Sequence, residues 1–469
     1  MQTDEHKLRP NSLGVSDIVF FVVAAAAPLG ATLGAAPAVF AIGGPSAPSL
    51  YLCASVILLL FAIGFAAMSR YVVSAGGFAE LVKVGIGRPF GNAASGIAIL
   101  AYICMLIGIF GAFAAFNSEA FKSFLGFDLS WQASAIFAII IVGVFGYLDV
   151  NISAKVLGVL MILEVLILVV FDAAVLIKSD TTAITFQNLI PTDLSTPGLG
   201  VAFMFAFACF VGFESTTIYG EEAKNPHKTI PMATYIAIGL IGIFYTVTTW
   251  CLGIAYSGAD IQAAAGTDLV NFVFNANTKF VGQWSTDLMQ ILAVTSLFAV
   301  LLSFHNALCR YLFSLSRSGF IFKRLGRVHA KNSSPHNASI TLSFITLFII
   351  ALFMAADADP INSLYMWMVA LGTLGILALQ TLGCIAVIAY FKKTRKGHFW
   401  QGLVAPALGG AGLFVVVLLA ITNFQELSGA KSGLASQLPW LVLVAAILGV
   451  VNGIRKPKRL IDGGNPAST

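Results

Sequence analysis

The chain has 469 residues, of which 58% are hydrophobic and only 10% charged, with a mean hydropathy of +0.91. Ordinary soluble domains carry roughly 25% charged residues, so a surface this apolar could not stay wetted, and lipid must be the solvent. The net charge of +5 is read as a signature of loop topology and implies no nucleic-acid surface.

A helix needs ~20 apolar residues to cross about 30 Å of hydrocarbon. Twelve such stretches follow one another, at 17–43, 47–69, 92–121, 131–148, 154–177, 198–219, 232–256, 285–315, 338–356, 362–391, 401–423 and 436–453. Alternating ten-residue strands flanked by turns are absent, which argues against a membrane β-barrel. The expectation is an all-α polytopic membrane protein with 12 transmembrane helices.

The opening MQTDEHKLRPNSLG holds two acids and no small-residue cleavage site. A cleaved signal peptide is therefore not expected, and residues 1–16 read as a short N-terminal segment. The first span contains VVAAAAPLGATLGAAPAVF, with Pro28, Gly30, Gly34 and Pro37 at mid-depth. Proline removes a backbone donor and glycine weakens helix continuation, so this span is expected to break. Residues 77–88, GFAELVKVGIGR, mix apolar and basic positions and suit a short amphipathic helix along the inner surface. The sixth span reads AFACFVGFEST, with Gly212 and the acid Glu214 inside it, and then runs into the charged cluster Glu221, Glu222 and Lys224. Asn225-Pro226 turns the chain there and Ile230-Pro231 starts the seventh span. Those charges read either as a solvated loop with local ion pairs or as an inner gate. The segments 178–197 and 316–337 are the longest connections, the first polar, the second basic, and the tail after 453 is basic and then polar.

Lys and Arg accumulate on cytoplasmic loops. With the N-terminus inside, only Lys122, Lys178, Lys279 and Lys431 of the 26 basic residues fall outside. A miscount by one span would scramble this bias, so it supports twelve crossings with both termini cytoplasmic. On this topology the sequons at Asn151, Asn332 and Asn337 face the cytoplasm and stay idle. The six cysteines lie in apolar spans without paired spacing and read as small packing residues, with Cys209 singled out by its place beside Val211-Gly212. His305 is the one histidine near a span and has no second ligand at metal spacing.

Interrupted helices at corresponding positions of two halves are a sequence pointer to a transporter site at the bilayer midplane. A break frees N–H groups on one side and carbonyls on the other, which lipid tolerates only where protein or a cavity surrounds them. The N–H end suits a carboxylate and the carbonyl end an ammonium. The bland alternative is that GATLG is a small-xxx-small packing pattern. Two such helices, one with a buried acid, favour the site.

These residues resemble the amino acid–polyamine–organocation (APC) superfamily of permeases. GFESTTIYGEEAKNPHKTIPMA is similar to the sixth-helix signature of that family and the loop after it. Further resemblances are RYVVSAGGFAELV, ISAKVLGVLMILEVLILVVF and SFHNALCRYLFSLSRSGFIFKRLGRVHAKNSSPHNA, so that the likeness runs in order from residue 13 to about 395. It implies a five-plus-five inverted-repeat (LeuT-like) fold with broken helices 1 and 6. The first repeat would be 17–177, the second 198–391, with 401–453 peripheral and 454–469 a cytoplasmic tail.

The resemblance also implies site residues. Where the family's first-helix break is typically G-S-G, this chain has Gly30, Ala31 and Thr32, following Pro28. Phe207 and Phe210 are the candidates for the aromatic that closes an outer gate, with packing as the competing role. Gly212 and Glu214 match the sixth-helix pattern. Glu164 is a departure: similar proton-coupled members carry a lysine there, at the place of a sodium ion in sodium-driven relatives. An ionised group at the bilayer centre costs several kcal/mol, on the order of 3 to more than 10, so it must be neutral, paired or wet. Burial favours the protonated carboxyl, which suits a carrier of a transported proton. The competing roles for Glu164 are a partner for a substrate amine, a neutral acid bonded to the first helix and, last, a sodium ligand.

The resulting expectation is a secondary active transporter taking up an amino acid across the cytoplasmic membrane by proton symport with alternating access, with no cofactor. The alternative is an amine or polyamine (putrescine-like) transporter or an exchanger, because no Lys or Arg lies near the middle of spans 1, 3, 5, 6, 8 or 10 to balance the two acids. Its partners are a small-molecule amino acid or amine and the lipid bilayer. No P-loop, ring of like charges, nucleophile–base pair or metal cluster stands out, which speaks against an ATP-driven pump, a channel and a membrane enzyme.

Overall fold

A computed structural model describes residues 13–72, 77–148, 154–191, 197–214, 216, 223–257, 260–329, 334–395, 397–428 and 433–454. Among them the architecture is all-helical, with one isolated backbone bridge, Leu13 to Ala223. The helices are α1 (Val15–Ala26), α2 (Pro28–Gly43), α3 (Ala47–Ser69), α4 (Gly77–Ile86), α5 (Arg88–Leu125), α6 (Trp131–Tyr147), α7 (Ala154–Lys178) and α8 (Leu199–Ala208). There follow α9 (Pro226–Ala255), α10 (Ile261–Thr267), α11 (Phe272–Phe280), α12 (Gln283–Arg317), α13 (His336–Ala355), α14 (Met366–Thr394), α15 (Ala405–Asn423) and α16 (Trp440–Ile454).

Proline and glycine punctuate these elements. Pro28 bars Ala27 from continuing α1, and Ala27 adopts the left-handed conformation at φ 44°. Its N–H folds back to Ala24 O at 3.2 Å, and Ala31 N–H opens α2 on Ala27 O at 2.9 Å. The amphipathic 77–88 stretch forms α4, which buries Phe78, Leu81 and Val82 and pairs Lys83 with Glu80 at 3.0 Å. α5 is closed by Gly126 in the left-handed conformation at φ 62°, and α6 begins on Ser130, whose hydroxyl accepts the Ala133 N–H. α8 stops after ten residues. Residues 209–213 continue as tight turns, with Phe210, Val211 and Phe213 N–H each bonded to the carbonyl three residues back.

Nine helices among the described residues are long and apolar enough to cross a membrane, the first of them running Pro28–Ser69 through a short 3₁₀ turn. The apolar helices Val15–Ala24, Trp131–Tyr147 and Leu199–Ala208 are shorter.

α5 is the hub, packing on α4, α6, α12, α14 and α16, while α3 lies against α9 and α15, and α2 against α8 and α10. Lipid tails are as apolar as leucine, so helices gain by close backbone approach rather than by hiding from water. Gly372 of α14 shows this: a Cβ there would stand 2.9 Å from Ala101 O of α5. Outward faces carry large apolar groups, such as Val159, Ile162 and Leu166 on α7 and Phe344 and Phe348 on α13, as a lipid solvent requires.

Candidate functional site

The junction of α1 with α2 and the C-terminal end of α8 lie side by side. α2 packs on α8, and Cys209, which caps α8, has its thiol 3.9 Å from Ala31 O of α2 and 3.8 Å from the Tyr51 hydroxyl of α3. Around the first break each freed backbone group meets a particular side chain. Ala26 O accepts from the Tyr245 hydroxyl of α9 at 3.3 Å, and Leu29 N–H donates to Glu164 Oε2 of α7 at 3.3 Å. Pro28 has no N–H, and its carbonyl accepts from the Thr32 hydroxyl at 2.8 Å. Gly30 N–H meets no acceptor among the described residues. Among the described residues α2 therefore begins with one donor that meets no acceptor, beside the positive end of its own dipole.

Glu164 is buried, 3% exposed, with the Ser296 hydroxyl of α12 beside it. The hydrogen bond from the first helix, one of the roles open to this residue, is present. Glu214 lies in the turn after α8 and accepts Gly212 N–H at 2.9 Å and the Tyr102 hydroxyl of α5 at 3.0 Å. Each acid thus receives an amide N–H from an interrupted segment, Glu164 from across the site and Glu214 from its own turn.

Aromatic rings wall this junction. Phe210 meets Tyr245 edge-on at 6.1 Å between centroids, Phe205 stacks on Tyr365 at 6.1 Å, and Tyr51 leans on Tyr245 at 5.9 Å. Phe207 packs on Phe203 at 6.4 Å, and both Phe207 and Phe210 are buried. The Tyr365 hydroxyl rests on Gly34, where a Cβ would stand 2.7 Å away. Gly34 is thus a contact surface, and the interruption itself falls at Ala27–Pro28. Gly30, Ala31 and Thr32, expected at the break, form the first turn of α2.

Four phenols, Tyr51, Tyr102, Tyr245 and Tyr365, belong to this place and escaped the sequence reading. The available signal was a hydroxyl inside an apolar span, which needs a partner when buried. His305 pairs with Ser339 at 2.9 Å, and no metal-binding group of three His, Cys, Asp or Glu occurs among the described residues. The six cysteines are free thiols. Asn337, the sequon asparagine inside the described residues, donates to Arg324 O at 2.9 Å. Glu221 and Glu222, with the sequons at Asn151 and Asn332 and the basic tail from Arg455, lie outside the described residues.

The family model described as amino acid permease matches residues 13–451. Among curated proteins, the branched-chain amino acid permease BcaP of Bacillus subtilis (strain 168) is 27% identical over 386 residues, covering 80% of this chain and 73% of that one. The protein of the same name from Lactococcus lactis subsp. cremoris (strain MG1363) is 26% identical over 411 residues, covering 79% and 82%. Cationic amino acid transporter 1 of Arabidopsis thaliana is 24% identical over 354 residues, covering 69% of this chain and 55% of its own. These relatives are transporters, and a match over nearly the whole chain makes this protein a member of the amino acid permease family, within the APC superfamily.

Proposed function

We propose that the protein is a secondary active transporter that takes up an amino acid with a branched aliphatic side chain by proton symport. The observation that carries this reading is the start of α2, where Gly30 N–H stands open one residue from the amide that Glu164 accepts. A substrate carboxylate suits that N-terminal end, and its ammonium suits the C-terminal end of α8. Phe207 and Phe210, with the tyrosines around them, offer an aliphatic side chain a dry wall and offer a charged one no cation. The names of the two BcaP relatives, branched-chain amino acid permeases, favour the same substrate class.

In this reading α1 and α2 are the two halves of a first transmembrane helix, and α8 with its turn is the broken sixth. The chain then makes twelve crossings in a five-plus-five inverted repeat, with α15 and α16 peripheral and both termini in the cytoplasm. Pro28, Gly30, Ala31, Thr32, Phe207, Phe210, Gly212 and Glu214 surround the substrate, and access alternates by rocking one bundle against the other. Glu164 carries the proton. With its charge removed, the carboxyl still holds Leu29 through its carbonyl oxygen, so loading it need not dismantle the break.

A polyamine is the second reading, favoured by two buried acids without a buried cation. Both acids already accept backbone amides, which leaves them less free to bind an amine. Proteoliposomes separate the two. Acid outside should drive accumulation of radiolabelled leucine, isoleucine or valine, and a protonophore should abolish it. Accumulation of putrescine alone would overturn the amino-acid reading. Glu164→Gln should flatten the rise of uptake with falling outside pH while preserving exchange of substrate across the membrane, and an unchanged pH profile would remove Glu164 from the coupling.

A further inference from the structure

α7 carries a second buried acid. Asp172 is 7% exposed and lies eight residues beyond Glu164, about 12 Å further along the helix axis. Its Oδ2 accepts from the Thr248 hydroxyl of α9 at 2.9 Å, and its backbone carbonyl lies 3.9 Å from the Cys251 thiol. Its Oδ1 is buried with no hydrogen-bond partner among the described residues.

Among the described residues no cation pairs with it. The elements packed against α7 are α1, α2, α9, α11 and α12. Asp17 of α1 accepts from Gly14 N–H near the other end of the bundle, and α2 has no ionisable side chain. α9 presents Cys251 here and Tyr245 toward Glu164. On α11, Lys279 donates to Ala255 O, and on α12, Asp287 accepts from Gln283. On α7 itself, Lys178 donates to Phe280 O. No ion pair reaches Asp172 among the described residues.

A carboxylate buried this way, with one oxygen unsatisfied, is costly in apolar surroundings. Asparagine would serve Thr248 equally well as an acceptor. What aspartate adds is the capacity to gain and lose a proton. The seam it occupies carries polar groups of α9, with Tyr245 at the first break and then Thr248 and Cys251 beside Asp172. Leu168 is buried between the two acids on α7, so the two carboxyls are not in direct contact along the helix.

We propose that Asp172 is a second proton-binding site, the outer of two carboxyls on α7 that take protons from the external water and pass them to Glu164. In the transfer the O–H bond at Asp172 breaks, a water chain carries the proton, and an O–H bond forms at Glu164, with no change of electron count. The relay rests on the symport reading above; proton binding at Asp172 does not.

The test is Asp172→Asn in proteoliposomes and in solution. The initial rate of acid-driven uptake should fall about tenfold, a modest share of what a positioned acid–base group supplies. Equilibrium exchange should stay at the wild-type rate, and the final accumulation ratio should be unchanged, because a relay sets rate and not stoichiometry. Asp172→Glu should restore part of the rate, and Thr248→Val, which removes the hydrogen bond but keeps the acid, should not copy the defect. Infrared difference spectra across a pH titration should lose one carboxylic-acid band in Asp172→Asn. A wild-type rate and spectrum in that variant would overturn the proposal, as would an equal loss of uptake and exchange reproduced by Thr248→Val. Wild-type uptake indifferent to pH, with the band still lost on substitution, would overturn the symport reading and leave Asp172 a proton-binding group.

Discussion

Gly212 has φ 114°, a conformation that side chains with a Cβ rarely adopt, and its N–H is aimed at Glu214 Oε2. Backbone strain of this kind costs on the order of 1–3 kcal/mol for a residue other than glycine. Gly212→Ala should weaken substrate binding about tenfold, a shift of roughly 1.4 kcal/mol, and Gly212→Leu should abolish it by placing a branched chain between α8 and its neighbours. Ligand-induced thermal shift of the purified variants checks both, and normal affinity in Gly212→Leu would make the glycine a mere packing residue. This position was legible in the sequence, as were Glu164 and Glu214, because glycine and ionisable groups are conspicuous in apolar spans. The tyrosines were not. A phenol reads as core packing until its partner is known, and the partners are remote in the chain: Tyr102 reaches Glu214 across 112 positions and Tyr245 reaches Ala26 across 219.

At the scale of elements, a helix break in the stretch holding Pro28 was legible, and Pro28, one of the residues expected to cause it, is where α2 begins. The glycine-rich GATLG drew the expectation to Gly30–Thr32, yet an alanine followed by proline ends α1 first: Pro28 excludes Ala27 from the helical region, and once α2 has started at Pro28 its glycine costs only propensity. Left-handed alanine is disfavoured by roughly 1–2 kcal/mol. Ala27→Gly should therefore keep uptake and leave the thermal midpoint in detergent unchanged or higher. Ala27→Val, β-branched at φ 44°, should lower it and slow uptake. A valine tolerated without loss would mean that the chain can pass this point in another conformation. α10 and α11 were illegible for a different reason, since they are too short for a membrane period. α10 is fixed by its contact with α2, where Gln262 donates to Ala41 O at 3.1 Å.

For the whole molecule the open matter is how often the chain crosses the bilayer. Basic residues gathered on alternate loops argue for twelve crossings, while α8 on its own, ten residues long, extends about 15 Å, half of a ~30 Å hydrocarbon layer. The sixth crossing is complete only if the chain that leaves α8 at Cys209 covers the rest of the way. Two exposed residues report on this: Phe127, between α5 and α6, and Phe322, between α12 and α13. Five crossings separate them if α8 and its turns traverse the membrane, and four if they do not. Cysteine introduced singly at each position, in a background with the six native cysteines replaced, should react oppositely with a membrane-impermeant maleimide in intact cells. Position 127 should label from outside, and position 322 only after permeabilisation. Labelling of both from the same side would mean that α8 turns back within the membrane. The carbonyl end of α8 and the N–H end of α2 would then face the bilayer from one side, and a site reached alternately from both sides could not form between them.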